Sequence, residues 1–399
     1  MWCKKRHKII VNLLRPIFAL FLRIKYGLKR EKYPHIINGV DLRKPVMVLC
    51  NHSTTFDPFI VGLNFRQPLY YMASIDLFEH AFIGKAIKYL VNPIPKEKSR
   101  KSDLASIKAC IRVTKENGSI CIFPEGNRTL KGSLGNVDFS IVKLIKSLKL
   151  PLVIVNIEGG YGVDPRWGNK TRKGTTITKI RSVLSFDEYN KYTNEELYDY
   201  IVKNLKVNDL SSSYIYKSKR KAEYLERVVY ICPRCKEMHC LVSNKNSIKC
   251  NNCNFEASYN EDLSITTNDL NINFKNIEEW YNYQIEIVKN KEYNENCIYQ
   301  DDVNLYNPRL YKSKQKICSG LLKMYKDRFE VISNDKTYVF EFNKIEAVTL
   351  LGKKKMNFYY ENKTYQVFKG KRINLLKYLH LFYILKNKKE DKDSEFLGL

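Results

Sequence analysis

"VMVLCNHSTTFDPF", residues 46–59, joins a short apolar run to a polar segment that carries a histidine and an aspartate five positions apart. An apolar run bounded by polar residues suits a buried strand. Three further runs have the same form: "LYYMA" (69–73), "ICIF" (120–123) and "LVIVNI" (152–157). Helical periodicity lies between them, over 79–90, 103–116 and 138–148. Strands alternating with helices predict an α/β layer on a largely parallel sheet, and in such sheets ligands collect where strands end. Polar segments stand at those ends: Asn51 and His52 after the first strand, "PEGNR" after the third, "EGGYG" after the fourth.

At 399 residues the chain has room for two or three domains, and 44% hydrophobic content with no low-complexity tract predicts that it folds. The net charge of +27 calls for a polyanionic partner or surface, such as anionic lipid, nucleic acid or an acidic carrier protein. Eleven cysteines without a cleavable signal argue against a secreted disulfide framework and for a reducing compartment. The first thirty residues hold nine basic side chains and no acidic one. Their apolar residues, from Ile9 and Ile10 to Phe21 and Leu22, recur at helical spacing, while Arg15 and Arg23 interrupt any run able to span a bilayer. Residues 1–30 therefore read as an amphipathic segment lying on an anionic membrane surface, bent at Pro16; the competing reading packs the same face on the protein's own core.

A polar hinge near 211 runs into a charged stretch that closes an α/β domain over 31–227. Residues 228–258 hold paired cysteines, 259–315 form a connecting segment with a helix at 276–290, and 316–390 have a strand rhythm closed by the helix "INLLKYLHLFYILKN". Residues 391–399 are left as a tail. The order of strands and final helix in 316–390 is similar to a pleckstrin-homology module, which would bind a lipid headgroup or a protein; a plain β scaffold has the same rhythm.

His52 and Asp57 are candidates for a general base and its orienting carboxylate. A spacing of five exceeds one helical turn, so they meet only if the chain bends or starts a helix between them, with "STT" offering N-cap side chains. A polar pair at a surface turn is the alternative. In "FPEGNR" (123–128) a strand stops at Pro124, Gly126 releases a turn, Glu125 projects from it, and Arg128 presents a planar fork suited to phosphate.

These residues resemble the glycerophospholipid acyltransferase family, of the 1-acylglycerol-3-phosphate acyltransferase type. Asn51, His52 and Asp57 match its "NH, four residues, D" motif, "FPEGNR" matches its "FPEGTR", and the similarity extends over roughly 35–185. The resemblance implies His52 and Asp57 as catalytic residues and Glu125, Gly126, Arg128 and Lys96 as the acceptor-binding set. It also implies acyl coenzyme A or acyl carrier protein as donor, a lysophospholipid as acceptor, and a peripheral or monotopic place on the cytoplasmic face of a membrane. Asn127 stands where the family has threonine, Lys96 is the nearest equivalent of a family arginine, and Ile154 replaces a second proline.

"CPRC" (232–235) and "CNNC" (250–253) are two C-x2-C pairs fourteen residues apart, a zinc-ribbon spacing. Cys232, Cys235, Cys250 and Cys253 would hold a closed, structural Zn²⁺, with His239 and Cys240 as bystanders. A zinc ribbon in a basic chain also raises nucleic-acid binding, but the ribbon is only modestly basic and the strongest positive cluster is N-terminal. The sequence thus predicts an α/β acyltransferase domain, a small zinc ribbon and a mainly β C-terminal domain. An inactive acyltransferase-like adaptor or a nucleic-acid-binding protein is the alternative.

Overall fold

A computed structural model describes residues 2–74, 81–96, 103–211, 213–309 and 312–390. Positions 79–80 of the helix expected over 79–90, residues 97–98 next to Lys96, and the tail at 391–399 lie outside the described residues.

Among the described residues, nine strands precede residue 185: β1 (Leu28–Arg30), β2 (Ile36–Ile37), β3 (Val40–Asp41), β4 (Met47–Cys50), β5 (Leu69–Ser74), β6 (Ile94–Lys96), β7 (Ser119–Ile122), β8 (Leu152–Glu158) and β9 (Thr176–Leu184). β2 and β3 form a separate hairpin, and the rest make one sheet in the order β1-β9-β8-β4-β7-β5-β6. β4 runs parallel to both β7 and β8, and β5 to β7 and β6, while β9 returns antiparallel to β8. The sheet is mixed but largely parallel. Alternation along each strand divides its side chains between two cores. Met47, Leu49, Ile120 and Ile122 face one core; Val48, Cys50 and Cys121 face the other.

Helices cover both faces: α1 (Lys5–Tyr26), α2 (Asp57–Gly62), α3 (Ala81–Leu90), α4 (Asp103–Lys115), α5 (Ser140–Leu148), α6 (Gly160–Val163), α7 (Phe186–Tyr189) and α8 (Asn194–Leu205). α5 and α8 supply Ile141, Ile145, Leu197 and Ile201 to the first core; α1 and α2 supply Leu22, Tyr26 and Ile60 to the second. α8 starts at a reciprocal cap between Thr193 and Glu196. α1 continues through Pro16 as one helix.

The first cysteine pair precedes, and the second lies at the turn between the middle strands of, a four-stranded antiparallel sheet of β10 (Leu241–Asn244), β11 (Ser247–Cys250), β12 (Glu256–Tyr259) and β13 (Ile265–Thr267), followed by α9 (Ile277–Asn290). A second seven-stranded sheet contains β14 (Tyr299–Asn307), β15 (Gln315–Met324), β16 (Arg328–Ile332), β17 (Thr337–Glu341), β18 (Ile345–Leu351), β19 (Lys355–Tyr360) and β20 (Lys363–Phe368). Its order is β17-β16-β15-β14-β20-β19-β18, antiparallel throughout, and α10 (Leu376–Glu390) comes after it in the chain. The sheet takes in Tyr299–Asn307, which the sequence reading left in the connecting segment. There Asp301 interrupts the apolar alternation, and buried Lys377 on α10 compensates it at 2.5 Å.

The ribbon, α9 and α10 are locked together through His380, whose ring nitrogens lie 2.9 Å from the Tyr230 hydroxyl and 2.7 Å from that of Tyr281. Burial pushes its pKa down to about 3, so the imidazole bridging the two hydroxyls is neutral.

Candidate active site

β4 ends at Cys50, and Asn51 anchors the next turn by exchanging hydrogen bonds with the Ile157 backbone on β8 at 2.8 and 2.9 Å. The chain then bends over Ser53–Phe56 and starts α2 at Asp57, which closes the five-residue gap. His52 Nδ1 lies 2.7 Å from Asp57 Oδ2. The Ser53 and Thr54 N–H groups donate to the same oxygen at 2.6 and 2.9 Å, and the Thr54 hydroxyl donates to Oδ1 at 2.5 Å. The expected N-cap is thus reversed: no "STT" hydroxyl caps α2, and the first helical residue bonds back to the loop. Asp57 is fully buried, whereas 20% of the His52 side chain is exposed. The imidazole stacks on Phe123 with centroids 4.3 Å apart. With Nδ1 held by a carboxylate, the other ring nitrogen is set to accept a proton.

β7 delivers the second motif to the same end of the sheet. Glu125 Oε1 accepts the His52 N–H at 2.6 Å and Oε2 accepts the Gly135 N–H at 2.7 Å. Burial pushes this carboxyl up to about 8, against those two donors. Glu125 therefore braces the His52 loop from below. Gly126 makes its turn with φ +70°, the left-handed region glycine enters without a Cβ penalty. Lys96 is exposed at the end of β6, on the same side of the sheet but with β5 and β7 between β6 and β4. The structure thus gathers His52, Asp57, Glu125 and Gly126 around one loop and leaves Lys96 at the sheet edge.

Arg128 Nη1 meets Asp164 Oδ2 at 3.3 Å, and Asp164 also accepts from Thr55 N, Thr55 Oγ1 and Tyr26 Oη, each at 3.2 Å. Asp164 ties the Arg128 turn to the His52–Asp57 loop, a role the sequence reading did not assign. The one available signal was its position just beyond "EGGYG". Those glycines have a steric reason: a Cβ on Gly160 would stand 2.2 Å from Ser53 Oγ, so the β8 turn could not approach the His52 loop. Asp209, also unforeseen, fastens that turn by accepting the Gly159 and Tyr161 N–H groups at 2.7 and 2.8 Å.

In the ribbon, the Sγ atoms of Cys232, Cys235, Cys250 and Cys253 all lie within 4.8 Å of one another. The Cys232–Cys253 and Cys235–Cys250 separations are 3.5 and 3.7 Å, close to the roughly 3.8 Å edge of a tetrahedron with ~2.3 Å zinc–sulfur bonds. The four thiols fit a metal ion. Cys240 is not one of these four; its thiol lies beside Cys235 and Cys250 and donates to the Glu237 carbonyl.

Residues 29–158 match the Acyltransferase family. A probable 1-acyl-sn-glycerol-3-phosphate acyltransferase of Mycoplasma pneumoniae is 28% identical over 152 residues, 37% of this chain and 55% of that protein. Its namesake in Mycoplasma genitalium is 23% identical over 175 residues, 43% of this chain and 64% of that protein. The 1-acyl-sn-glycerol-3-phosphate acyltransferase of Bacillus subtilis is 33% identical over 125 residues, 31% of this chain and 57% of that protein. The chain therefore spans little more than half the length of the curated relatives it matches. Among solved structures, the 1-acyl-sn-glycerophosphate acyltransferase PlsC of Thermotoga maritima aligns with a TM-score of 0.42 at 17% identity, covering 50% of this chain and 78% of that one.

Proposed function

We infer that this chain, which carries an acyltransferase-family domain at residues 29–158, moves a fatty acyl group from an acyl thioester to the hydroxyl of a lysophospholipid, with 1-acylglycerol-3-phosphate as the acceptor. The observation that carries this reading is the His52–Asp57 pair, its imidazole partly open to solvent at the carboxyl end of a parallel strand. His52 takes the hydroxyl proton as the alcohol oxygen attacks the thioester carbonyl, and Asp57 stabilises the imidazolium that forms. Collapse of the tetrahedral intermediate breaks the carbon–sulfur bond. A thiol of pKa about 8.5 leaves readily, and the imidazolium returns its proton to the thiolate. The donor is acyl coenzyme A or an acyl carrier protein.

Arg128 holds the acceptor phosphate. Asp164 is its one ion-pair partner among the described residues, which leaves the rest of the guanidinium fork for a ligand. Arg128→Lys is expected to raise KM for the phosphorylated acceptor roughly tenfold, since lysine lacks the bidentate geometry, and to leave KM for the acyl donor nearly constant. Steady-state kinetics with each substrate varied in turn checks this; equal effects on both would remove Arg128 from the acceptor site.

The four ribbon cysteines hold a structural zinc ion. The C-terminal sheet order, two antiparallel meanders joined at β14–β20 with a helix after them, supports the pleckstrin-homology-like reading.

The enzyme works at a membrane surface through α1. No helix among the described residues is long and apolar enough to cross a membrane. Ile9, Leu13, Ile17, Leu20 and Ile24 instead form one stripe at helical spacing, each at least 60% exposed. Lys5, Lys8, Arg23 and Lys25 are exposed near its two ends, while the opposite edge packs Phe18 on Phe59 and Phe21 on Phe56. Such a stripe suits the interface of an anionic bilayer. Leu13→Glu combined with Ile17→Glu is expected to lower affinity for anionic vesicles roughly a hundredfold, from two lost apolar insertions. Salt should weaken the wild type. Co-sedimentation reads both effects; binding unchanged in the double variant would move membrane attachment elsewhere.

A further inference from the structure

The C-terminal β domain reaches the edge of the candidate active site. The carbonyls of Leu350 and Gly352, at the turn between β18 and β19, each accept a hydrogen bond from Arg166 at 3.0 Å. The third arm of the same guanidinium donates to the Arg128 carbonyl at 2.9 Å. Arg166 is fully buried and has no carboxylate partner among the described residues. The next residue of the turn, Lys353, is half-buried and donates to the Gly168 carbonyl, which uses one of its three ammonium donors.

Of the cations Arg128, Arg166 and Lys353, only Arg128 pairs with a carboxylate among the described residues, Asp164, while Arg166 and Lys353 are held by backbone carbonyls. Burial pulls the Lys353 ammonium below its usual range; Asp164 opposes that pull, while Arg128 and Arg227 add to it. Burial and the neighbouring Arg128 bring Arg166 down to about 9. Such a surplus of cations, partly withdrawn from water, is costly unless an anion completes it. The surplus also sits beside the candidate base, because Asp164 accepts from the backbone and hydroxyl of Thr55 in the His52–Asp57 loop. In a glycerol phosphate the reacting hydroxyl and the phosphate are on neighbouring carbons, so cations that hold the phosphate must lie close to the base.

We propose that the C-terminal β domain completes the acceptor site. Lys353 is a second phosphate ligand next to Arg128, and Leu350 and Gly352, acting through Arg166, position the Arg128 turn. The assignment rests on the acyl transfer proposed above and deepens it: selectivity for a phosphomonoester acceptor over a neutral glyceride is supplied partly by a domain outside the matched acyltransferase segment.

The test compares full-length wild type, Lys353→Met and Lys353→Arg with 1-acylglycerol-3-phosphate and with 1-acylglycerol, alongside thermal melts. Lys353→Met is expected to lower the ratio of kcat/KM for the phosphorylated over the neutral acceptor roughly ten- to a hundredfold, the range of one charge-assisted hydrogen bond. The loss should appear in KM for the phosphorylated acceptor, with KM for the acyl donor and the melting temperature kept, and Lys353→Arg should restore most of it. An unchanged ratio, or a fall for both acceptors together with a lowered melting temperature, would overturn the assignment of Lys353 alone. A wild type that transfers acyl chains to neither acceptor would overturn the proposed reaction itself.

Discussion

Replacing His52 with alanine is expected to lower kcat by roughly two to four orders of magnitude, the usual worth of a positioned general base. Among the described histidines, His7 lies against Tyr70, His239 against Lys377 and His380 between two tyrosines, so none of these three is placed to take over. KM for both substrates should stay within a few-fold, because the imidazole acts on a proton that moves only in the transition state. Asp57→Asn should cut kcat by about two orders or more and also lower the melting temperature, since Asp57 accepts four hydrogen bonds that shape the loop. Steady-state kinetics combined with thermal melts separates the two cases. A His52→Ala protein with full turnover would reduce the pair to a structural one.

Loss of the ribbon metal should unfold more than the ribbon. Phe255 at the second cysteine pair packs edge-on against Trp280 of α9, whose indole N–H donates to the Ile231 carbonyl beside the first pair. Gln284 on the same helix accepts from the Tyr230 N–H and donates to the Val228 carbonyl. The ribbon core is also continuous with the cores of both large domains. A structural zinc site is worth roughly 10–16 kcal/mol in isolated fingers, as much as the whole stability of an ordinary domain at about 5–15 kcal/mol. Purified protein should contain one zinc per chain. Chelation or Cys232→Ser should drop the melting temperature by tens of degrees or leave the chain insoluble. Metal analysis with thermal melts checks this; a stable protein free of metal would contradict it.

Much of the N-terminal α/β fold could be read from sequence because its central strands are fully buried. "VMVLC", "ICIF" and "LVIVNI" are near-continuous apolar runs, and each strand falls within a residue or so of its run. Residues 346–368 were equally plain, since turn signals separate their strands. β14 was not, because its inward-facing Asp301 looks polar in sequence and only Lys377, seventy-six residues later, neutralises it. The site divides in the same way. His52 and Asp57 are close in sequence and their meeting needs only one bend. Asp164, Arg166 and Lys353 join the site through contacts between distant segments, and no periodicity or local spacing marks such contacts. Glu125 was found, but its direction was not: whether a carboxylate after a strand faces solvent or the loop beneath depends on where neighbouring N–H groups point.

Transfer of an acyl chain from a thioester to a lipid hydroxyl under the direction of His52 is tested most directly with purified protein, a radiolabelled acyl thioester and 1-acylglycerol-3-phosphate on anionic vesicles, the lipid products being separated afterwards. The expected result is label in diacylglycerol phosphate, with free thiol in equal amount, and neither product above background with His52→Ala. Label that stays in the thioester, or appears only as free fatty acid at the same rate with and without acceptor, would contradict it.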